Sequence, residues 1–328
     1  GVRRTYEWQH PRVITTHKEV PVSANRRSFP VVLGAAALAA LLAGCGAGGD
    51  GSGGAAPGGA AQPTAEPVPS VSKDDALAAM VPQQISTDGV LKFGLDASYP
   101  PNEFTDADGT TIIGMDVDLG RAIAQKLGLE AQFENTSFDG IIPGVDAGNY
   151  EISMSSFTIN DERVQTVDMI SYFTAGTSIA VATGNPQNVN PDDLCGLAVG
   201  VQRGTVQVDD LAARNEACKA AGKPEIQMSE LQAQTDVTLA LTANRVVAML
   251  ADSPVVAYAV TTTDGAVEQL GDTYDTAPYG IVVKKGQGQY PEAVRGALQS
   301  LIDDGTYAAI LDKWNVAEGA IQTAEIRS

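Results

Sequence analysis

From Cys45 onward the sequence contains no histidine; His10 and His17, its two histidines, lie in the front segment. That absence removes histidine metal sites, a Ser-His-Asp triad and a Cys-His pair from the body of the chain. Positive charge is scarce as well. Of 21 basic and 40 acidic residues, six basic and two acidic ones precede Cys45, which leaves 15 against 38, or −23. A surface of that sign repels phosphate backbones and argues against nucleic acid as a partner. Cysteine occurs only as Cys45, Cys195 and Cys218, with no spacing like a metal knuckle. The strand-to-helix turn Gln202–Gln207 lacks the lysine and the full spacing of a nucleotide P-loop. No metal or organic cofactor is expected.

Long apolar runs are missing too. Phe29–Ala43 follows Arg26-Arg27 and is too short for a comfortable transmembrane helix. A basic patch, a short apolar core and small residues describe an export signal. Leu42-Ala43-Gly44-Cys45 resembles a bacterial lipobox, in which Cys45 is acylated and becomes the first mature residue. Residues 1–44 are read as pre-sequence and signal peptide, with 1–21 ahead of a start at Val22. Residues 45–72 are mostly Gly, Ala, Pro and Ser, a composition that cannot repay its ordering entropy. They form a tether with a reach of about 30 Å. The expected location is the outer face of the cell membrane. In an exported chain Cys195 and Cys218 are most simply a disulfide; two separate buried thiols are the other reading.

The body alternates strands and helices. Val90–Asp96 has apolar residues at alternate positions and ends in a loop stiffened by Pro100 and Pro101. Asp106–Gly109 carries turn chemistry. Leu119, Ile123 and Leu127 are spaced four apart, and Gly128 is a helix stop. Asp116 and Asp118 fit a first helical turn far better than a metal site. Glu130–Asn135 is a strand, and Phe138–Pro143 opens a helix. This spacing predicts a parallel α/β sheet with ligand residues at strand ends. Val167–Val181 is apolar and rich in β-branched residues, and the alternation resumes with Leu197–Val201. Val246–Leu250 and Tyr279–Lys284 supply later strands, and helices follow at about Pro291–Asp303 and Tyr307–Trp314. A chain crossing near Asn185 and returning near Asp275 gives lobe 1 (73–184 plus 276–322), lobe 2 (185–275) and a tail (323–328). Two connections make a hinge over a cleft.

The stretch Ser155–Arg163 sits at one strand end. Asn160 suits a helix cap, and Asp161 and Glu162 suit a first turn. Two serines, a threonine and an arginine at a strand-to-helix turn form a place for a small anion, above all a carboxylate. The bland alternative is a surface arginine paired with Asp161 or Glu162.

Gly114–Leu119, Met154–Thr158 with Arg163, Gln202–Thr205, and Asp252 after a strand together resemble the extracellular solute-binding proteins of family 3, which serve polar amino acid ABC importers. The resemblance covers about Val90 to Val316. It implies a two-lobed, periplasmic-binding-protein-like (type II) α/β fold with the ligand between the lobes. In this family Arg163 would hold the ligand's α-carboxylate, helped by Ser156, Thr158 and Thr205, with Ser155 and Gln207 also among the ligand-binding residues. Asp252 would hold the α-ammonium while one of its oxygens caps the following helix. Asp96, Tyr99 and Phe138 would surround the side chain and suit a cationic or amide group, with Gln202 replacing the usual apolar residue. Arg203 at the lip argues instead for an acidic side chain. The implied partners are a free amino acid and an ABC permease, with the protein a monomer and not an enzyme. A dehydratase-like enzyme with Asp96 or Glu103 as general acid, and a sensor for a partner receptor, are the alternatives.

Overall fold

A computed structural model describes residues 69–328. The expected signal peptide, the Cys45 anchor and the tether up to residue 68 lie outside the described residues. Short helices α1 (Asp75–Ala78) and α2 (Gln83–Ser86) lead into β1 (Val90–Leu95). A small antiparallel sheet follows: β2 (Ser98–Tyr99), β3 (Glu103–Thr105) and β4 (Ile112–Ile113). Its β3–β4 reversal contains Asp106–Gly109, and the Gly109 amide closes the turn on the Asp106 carbonyl. In α3 (Met115–Lys126) the four-spaced Leu119 and Ile123, with Leu127 just past its end, are buried. Gly128 ends that helix at φ +75°, and the Leu129 amide returns to the Ala124 carbonyl.

β5 (Glu130–Asn135), α4 (Phe138–Ala147), β6 (Ile152–Ser153) and α5 (Asp161–Thr166) then bring the chain to β7 (Val167–Ala182). The second half runs β8 (Ala198–Gln202), α6 (Val206–Ala220), β9 (Gln227–Leu231), α7 (Gln234–Thr242), β10 (Ala248–Asp252) and α8 (Ser253–Thr262). It closes with β11 (Val267–Lys284), α9 (Tyr290–Asp303), α10 (Thr306–Lys313) and β12 (Ile326–Arg327). The main sheet has the order β5-β1-β6-β11-β7-β10-β8-β9, with β12 added on β7.

The sheet is mixed, not purely parallel. Strands β1, β5 and β6 pair in parallel, as do β8, β9 and β10, as the alternation predicts. Between the two groups β7 and β11 run antiparallel over nearly their whole lengths. These two strands carry the chain from one lobe to the other. Ile170, Tyr172, Phe173 and Ala175 of β7 join the larger core, whereas Ile179, Ala180 and Val181 join the cores of the second lobe. The change falls between Ala175 and Ile179, several residues before the expected crossing at Asn185, because an unbroken strand hides the boundary. β11 changes core between Tyr274 and Tyr279, and its register slips on both sides of Tyr274. Gly176 lies at this crossing, where an added Cβ would come within 2.6 Å of the Tyr274 carbonyl.

The 323–328 segment is no free tail. Ile326 and Arg327 pair with Ile170 and Met169, and Ser171 exchanges backbone and side-chain hydrogen bonds with Glu325. Cys195 and Cys218 are joined in a disulfide. It ties the end of α6 to the chain just before β8.

Candidate functional site

The C-terminal ends of β1, β6, β8 and β10 meet around a narrow cavity between the lobes. Its lining contains ten of the eleven expected ligand residues: Asp96, Tyr99, Phe138, Ser156, Thr158, Arg163, Gln202, Thr205, Gln207 and Asp252. Ser155 is the exception. It is 1 % exposed, and its hydroxyl accepts from the Asp96 amide (3.0 Å) and donates to Glu103 Oε1 (3.0 Å). Glu103 and Val206 line the cavity without having been expected there. The sequence offers Glu103 only as a general acid of the dehydratase-like alternative, and Val206 is a helix-start residue whose turn, not its side chain, is the signal.

Asn160 caps α5 as predicted, its side chain accepting from the Arg163 amide at 2.9 Å. That bond uses up one free N–H of the helix start, and the guanidinium of Arg163 is the cation in the cavity lining. It pairs with neither Asp161 nor Glu162. It lies over the rings of Phe157 and Phe138, 5.1 and 5.6 Å from their centroids, and donates to the Thr158 carbonyl (2.8 Å) and the Gly204 carbonyl (3.1 Å). Phe138 and Phe157 stack at 4.4 Å beneath it. Loss of water draws the guanidinium's pKa down to about 10, so it remains a cation at neutral pH.

Asp252 faces Arg163 from the end of β10. It makes no capping bond to α8, contrary to the expected double role. Its oxygens instead accept from Gln207 Nε2 and the Tyr279 hydroxyl, each at 2.7 Å, and its amide donates to the Tyr99 hydroxyl at 3.1 Å. Burial raises its pKa, opposed by these donors and by Arg163.

Asp96 lines the same cavity. Oδ1 accepts from Ser98 Oγ (2.6 Å), and Oδ2 from the Phe138 amide (2.9 Å) and Gln202 Nε2 (3.0 Å). Burial raises its pKa as well, again opposed by its donors. Thr205 donates to the Gln202 carbonyl (2.8 Å), bracing the turn that aims the N-terminus of α6 at the cavity. Arg203 lies outside the lining and reaches Gln232 Oε1 at 3.3 Å, so it adds no cation to the cavity wall.

The lobes are drawn together in this structure. Gln202 to Asp96, Arg163 to Gly204, Gln232 to Asp139 and the Gln234 amide to Ser98 all cross from one lobe to the other. Asp118 is engaged by Lys313 Nζ and Trp314 Nε1 at 2.6 and 2.8 Å, far from any metal role.

The model of the bacterial extracellular solute-binding proteins, family 3, matches residues 91–317. The arginine-binding protein ArgT of Corynebacterium glutamicum is 38% identical over 262 residues, spanning 80% of this chain and 84% of its own. Among solved structures, an ancestral arginine-binding protein bound to arginine superposes with a TM-score of 0.63 at 35% identity, over 69% of this chain and 98% of that one. An ancestral arginine-binding protein bound to glutamine gives the same TM-score and identity, over 70% and 98%.

Proposed function

The chain belongs to the bacterial extracellular solute-binding proteins of family 3, and from that premise we propose that it captures a free cationic amino acid, arginine foremost, between its two lobes. One observation carries this reading: Arg163, Asp252, Asp96 and Glu103 line one cavity, a single cation against three carboxyl groups. The first pair complements an α-carboxylate and an α-ammonium. The arginine fork binds a carboxylate through two parallel N–H bonds, with Ser156, Thr158, Thr205 and the N-terminus of α6 beside it. Asp96 then has no partner of opposite charge unless the side chain supplies one. A cationic amino acid brings its positive side chain to a cavity whose carboxyl groups outnumber its one cation, whereas a neutral one leaves that excess uncompensated. The similarity to arginine-binding proteins supports the same choice. The likeness to a structure bound to glutamine marks an amide as the nearest competitor, since Asp96 would accept its N–H groups too.

Capture works by closure. The ligand bridges Arg163 on lobe 1 and Asp252 on lobe 2, so its binding free energy favours the drawn-together state. The lobes turn about β7 and β11, which we place as crossing at residues 175–179 and 274–279. A permease of the ABC class then distinguishes loaded from open protein by the shape of the closed pair. Acylation of Cys45 would hold a monomer at the outer membrane face with the Gly/Ala/Pro tether as its leash. The chain acts by binding, not by turning its ligand over.

A thermal-shift screen against the common amino acids tests this. A melting rise with arginine, less with lysine or glutamine and lost in Arg163→Ala and Asp252→Ala, is the expected result. A response confined to acidic amino acids would overturn the assignment of Asp96 to the ligand's side chain. Product formation from a cyclic acid, with no amino acid response, would overturn the binding reading altogether.

A further inference from the structure

Two acids sit behind the serine turn with no base to balance them. Glu103 of β3 and Asp116 of α3 are 1 % and 0 % exposed and share the Ser156 hydroxyl, which lies 3.2 Å from Glu103 Oε2 and 3.4 Å from Asp116 Oδ2. Neither takes part in an ion pair among the described residues. The titratable groups facing them are Asp96 of β1, Tyr99 of β2 and Tyr172 of β7, and none of these is a cation.

Their remaining bonds go to the Ser155–Ser156 turn and to Tyr172 of β7. Asp116 Oδ2 accepts from the Tyr172 hydroxyl at 2.7 Å and from the Ser156 amide at 3.0 Å. Glu103 accepts the Ser155 hydroxyl on Oε1 at 3.0 Å, and the Ser156 hydroxyl on Oε2 at 3.2 Å. Ser156 is held at φ 56°, a left-handed conformation that serine seldom adopts unaided. The pair therefore grips this strained residue by its amide and its hydroxyl together. One atom is left over: Asp116 Oδ1 is buried and has no donor.

Two carboxylates this close, dry and without a cation do not both ionise. A proton on Glu103 removes one charge and turns an acceptor beside Asp116 into a donor. Asp116, which already accepts from an amide and a phenol, stays the carboxylate. We propose that Glu103 and Asp116 hold one proton between them, with Glu103 as the acid, and that this pair is the positioning element for the Ser155–Ser156 turn of the ligand clamp. The second half of the proposal rests on the amino acid reading above; the first does not. Burial pushes Glu103 well above the usual carboxyl range and Asp116 up to about 6, consistent with that division. When alkali removes the proton, two adjacent charges push the turn apart and the ligand is held less tightly.

The test has two arms on the full chain. In the first, carbon-13 carboxyl resonances of the unaltered protein are followed against pH by NMR. Glu103 is expected to give a protonated-acid resonance at pH about 7; its titration among ordinary carboxylates near pH 4 overturns the shared proton. In the second, arginine affinity is measured by calorimetry from pH about 6 to 10 for the unaltered protein and Glu103→Gln. The α-ammonium of arginine titrates in both, so their affinity ratio is the readout. The ratio is expected to move about tenfold in favour of the glutamine variant at the alkaline end, a shift of one pK unit's worth. Glu103→Ala is expected to bind weakly at every pH. A ratio independent of pH overturns the positioning role even where the proton is seen. If arginine binds neither protein, the amino acid reading fails while the first arm still decides the proton.

Discussion

Gln202 Nε2 lies 3.0 Å from Asp96 Oδ2 and joins the second lobe to the first across the cavity. The same nitrogen also donates to the Gln232 carbonyl at 3.1 Å, so the amide is fixed by its own lobe as it reaches over. Asp96 is thus presented as a carboxylate held on three sides, by Ser98, the Phe138 amide and Gln202. Replacing it with asparagine keeps the shape and removes the charge. A charge-assisted hydrogen bond contributes about 1.5–3 kcal/mol. Asp96→Asn is therefore expected to weaken arginine about 10- to 100-fold in calorimetry while changing glutamine much less. Equal losses for both ligands would show that Asp96 does not read side-chain charge.

Arg163 has two duties, and a lysine can perform one of them. The cation is retained in Arg163→Lys, but the fork that donates at once to the Thr158 and Gly204 carbonyls is lost, as is the planar group over Phe157 and Phe138. Affinity is expected to fall about 10- to 100-fold, within the range for one charge-assisted bond. The melting temperature without ligand should also drop, because the Gly204 bond crosses the lobes. A lysine variant that binds normally would make the guanidinium geometry irrelevant.

Gly204 supplies a second check on closure. Its φ is +78°, and an added Cβ would stand 3.0 Å from Asp139 Cβ on the other lobe. Gly204→Ala must therefore strain its own turn, at about 1 kcal/mol, and push α4 away as the lobes meet. Small-angle scattering of the ligand-saturated variant should give a larger radius of gyration than the unaltered protein. Identical radii would mean that this contact does not limit closure.

The disulfide is expected to act at a distance. Cys195 and Cys218 are 23 residues apart, and a loop of that size contributes about 3 kcal/mol in the chain-entropy account. Their bond fixes the far end of α6, whose near end offers Thr205 and Gln207 to the cavity. Reductant should lower the melting temperature and weaken arginine binding together. No change in either would remove the bridge from the working parts of the site.

Most of the site was legible because it stands on strand ends, and strand ends are marked in sequence by turn residues. Asp96, Ser156, Arg163, Gln202 and Asp252 each follow an apolar run directly or by a few residues. The cap at Asn160 and the stop at Gly128 could be read for the same reason: both depend on neighbours in the chain. What could not be read depends on tertiary pairing. Ser155 looks identical to Ser156 in sequence, yet the left-handed turn at Ser156 sends one hydroxyl under the cavity and the other to its wall. Glu103 and Asp116 come from different elements, and nothing in either segment announces the other. The passage of β7 from one core to the next falls inside a continuous strand, where no loop marks it.

The acid range should separate folding from binding. Burial raises the pKa of both Asp96 and Asp252. A group whose folded pKa exceeds its unfolded value binds protons more tightly when folded. The stability it contributes is present below the unfolded value, about 3.9 for an aspartate, and is lost as pH rises through the folded one. The unliganded protein should therefore become less stable on going upward through this window. Arginine binding has the opposite slope, because a cation and an ammonium require both carboxylates ionised. Over the same interval its affinity must rise. Thermal melts with and without saturating arginine, taken at half-unit steps from pH about 4 upward, read both slopes in one experiment. The free-protein melting temperature is expected to decline while the arginine-induced increment grows. Asp96→Asn should flatten both lines in part, since it removes one of the two titrating groups. Parallel slopes with and without ligand would show that neither aspartate takes up a proton in the unliganded cavity, and that the charges facing the ligand are already in place at acid pH.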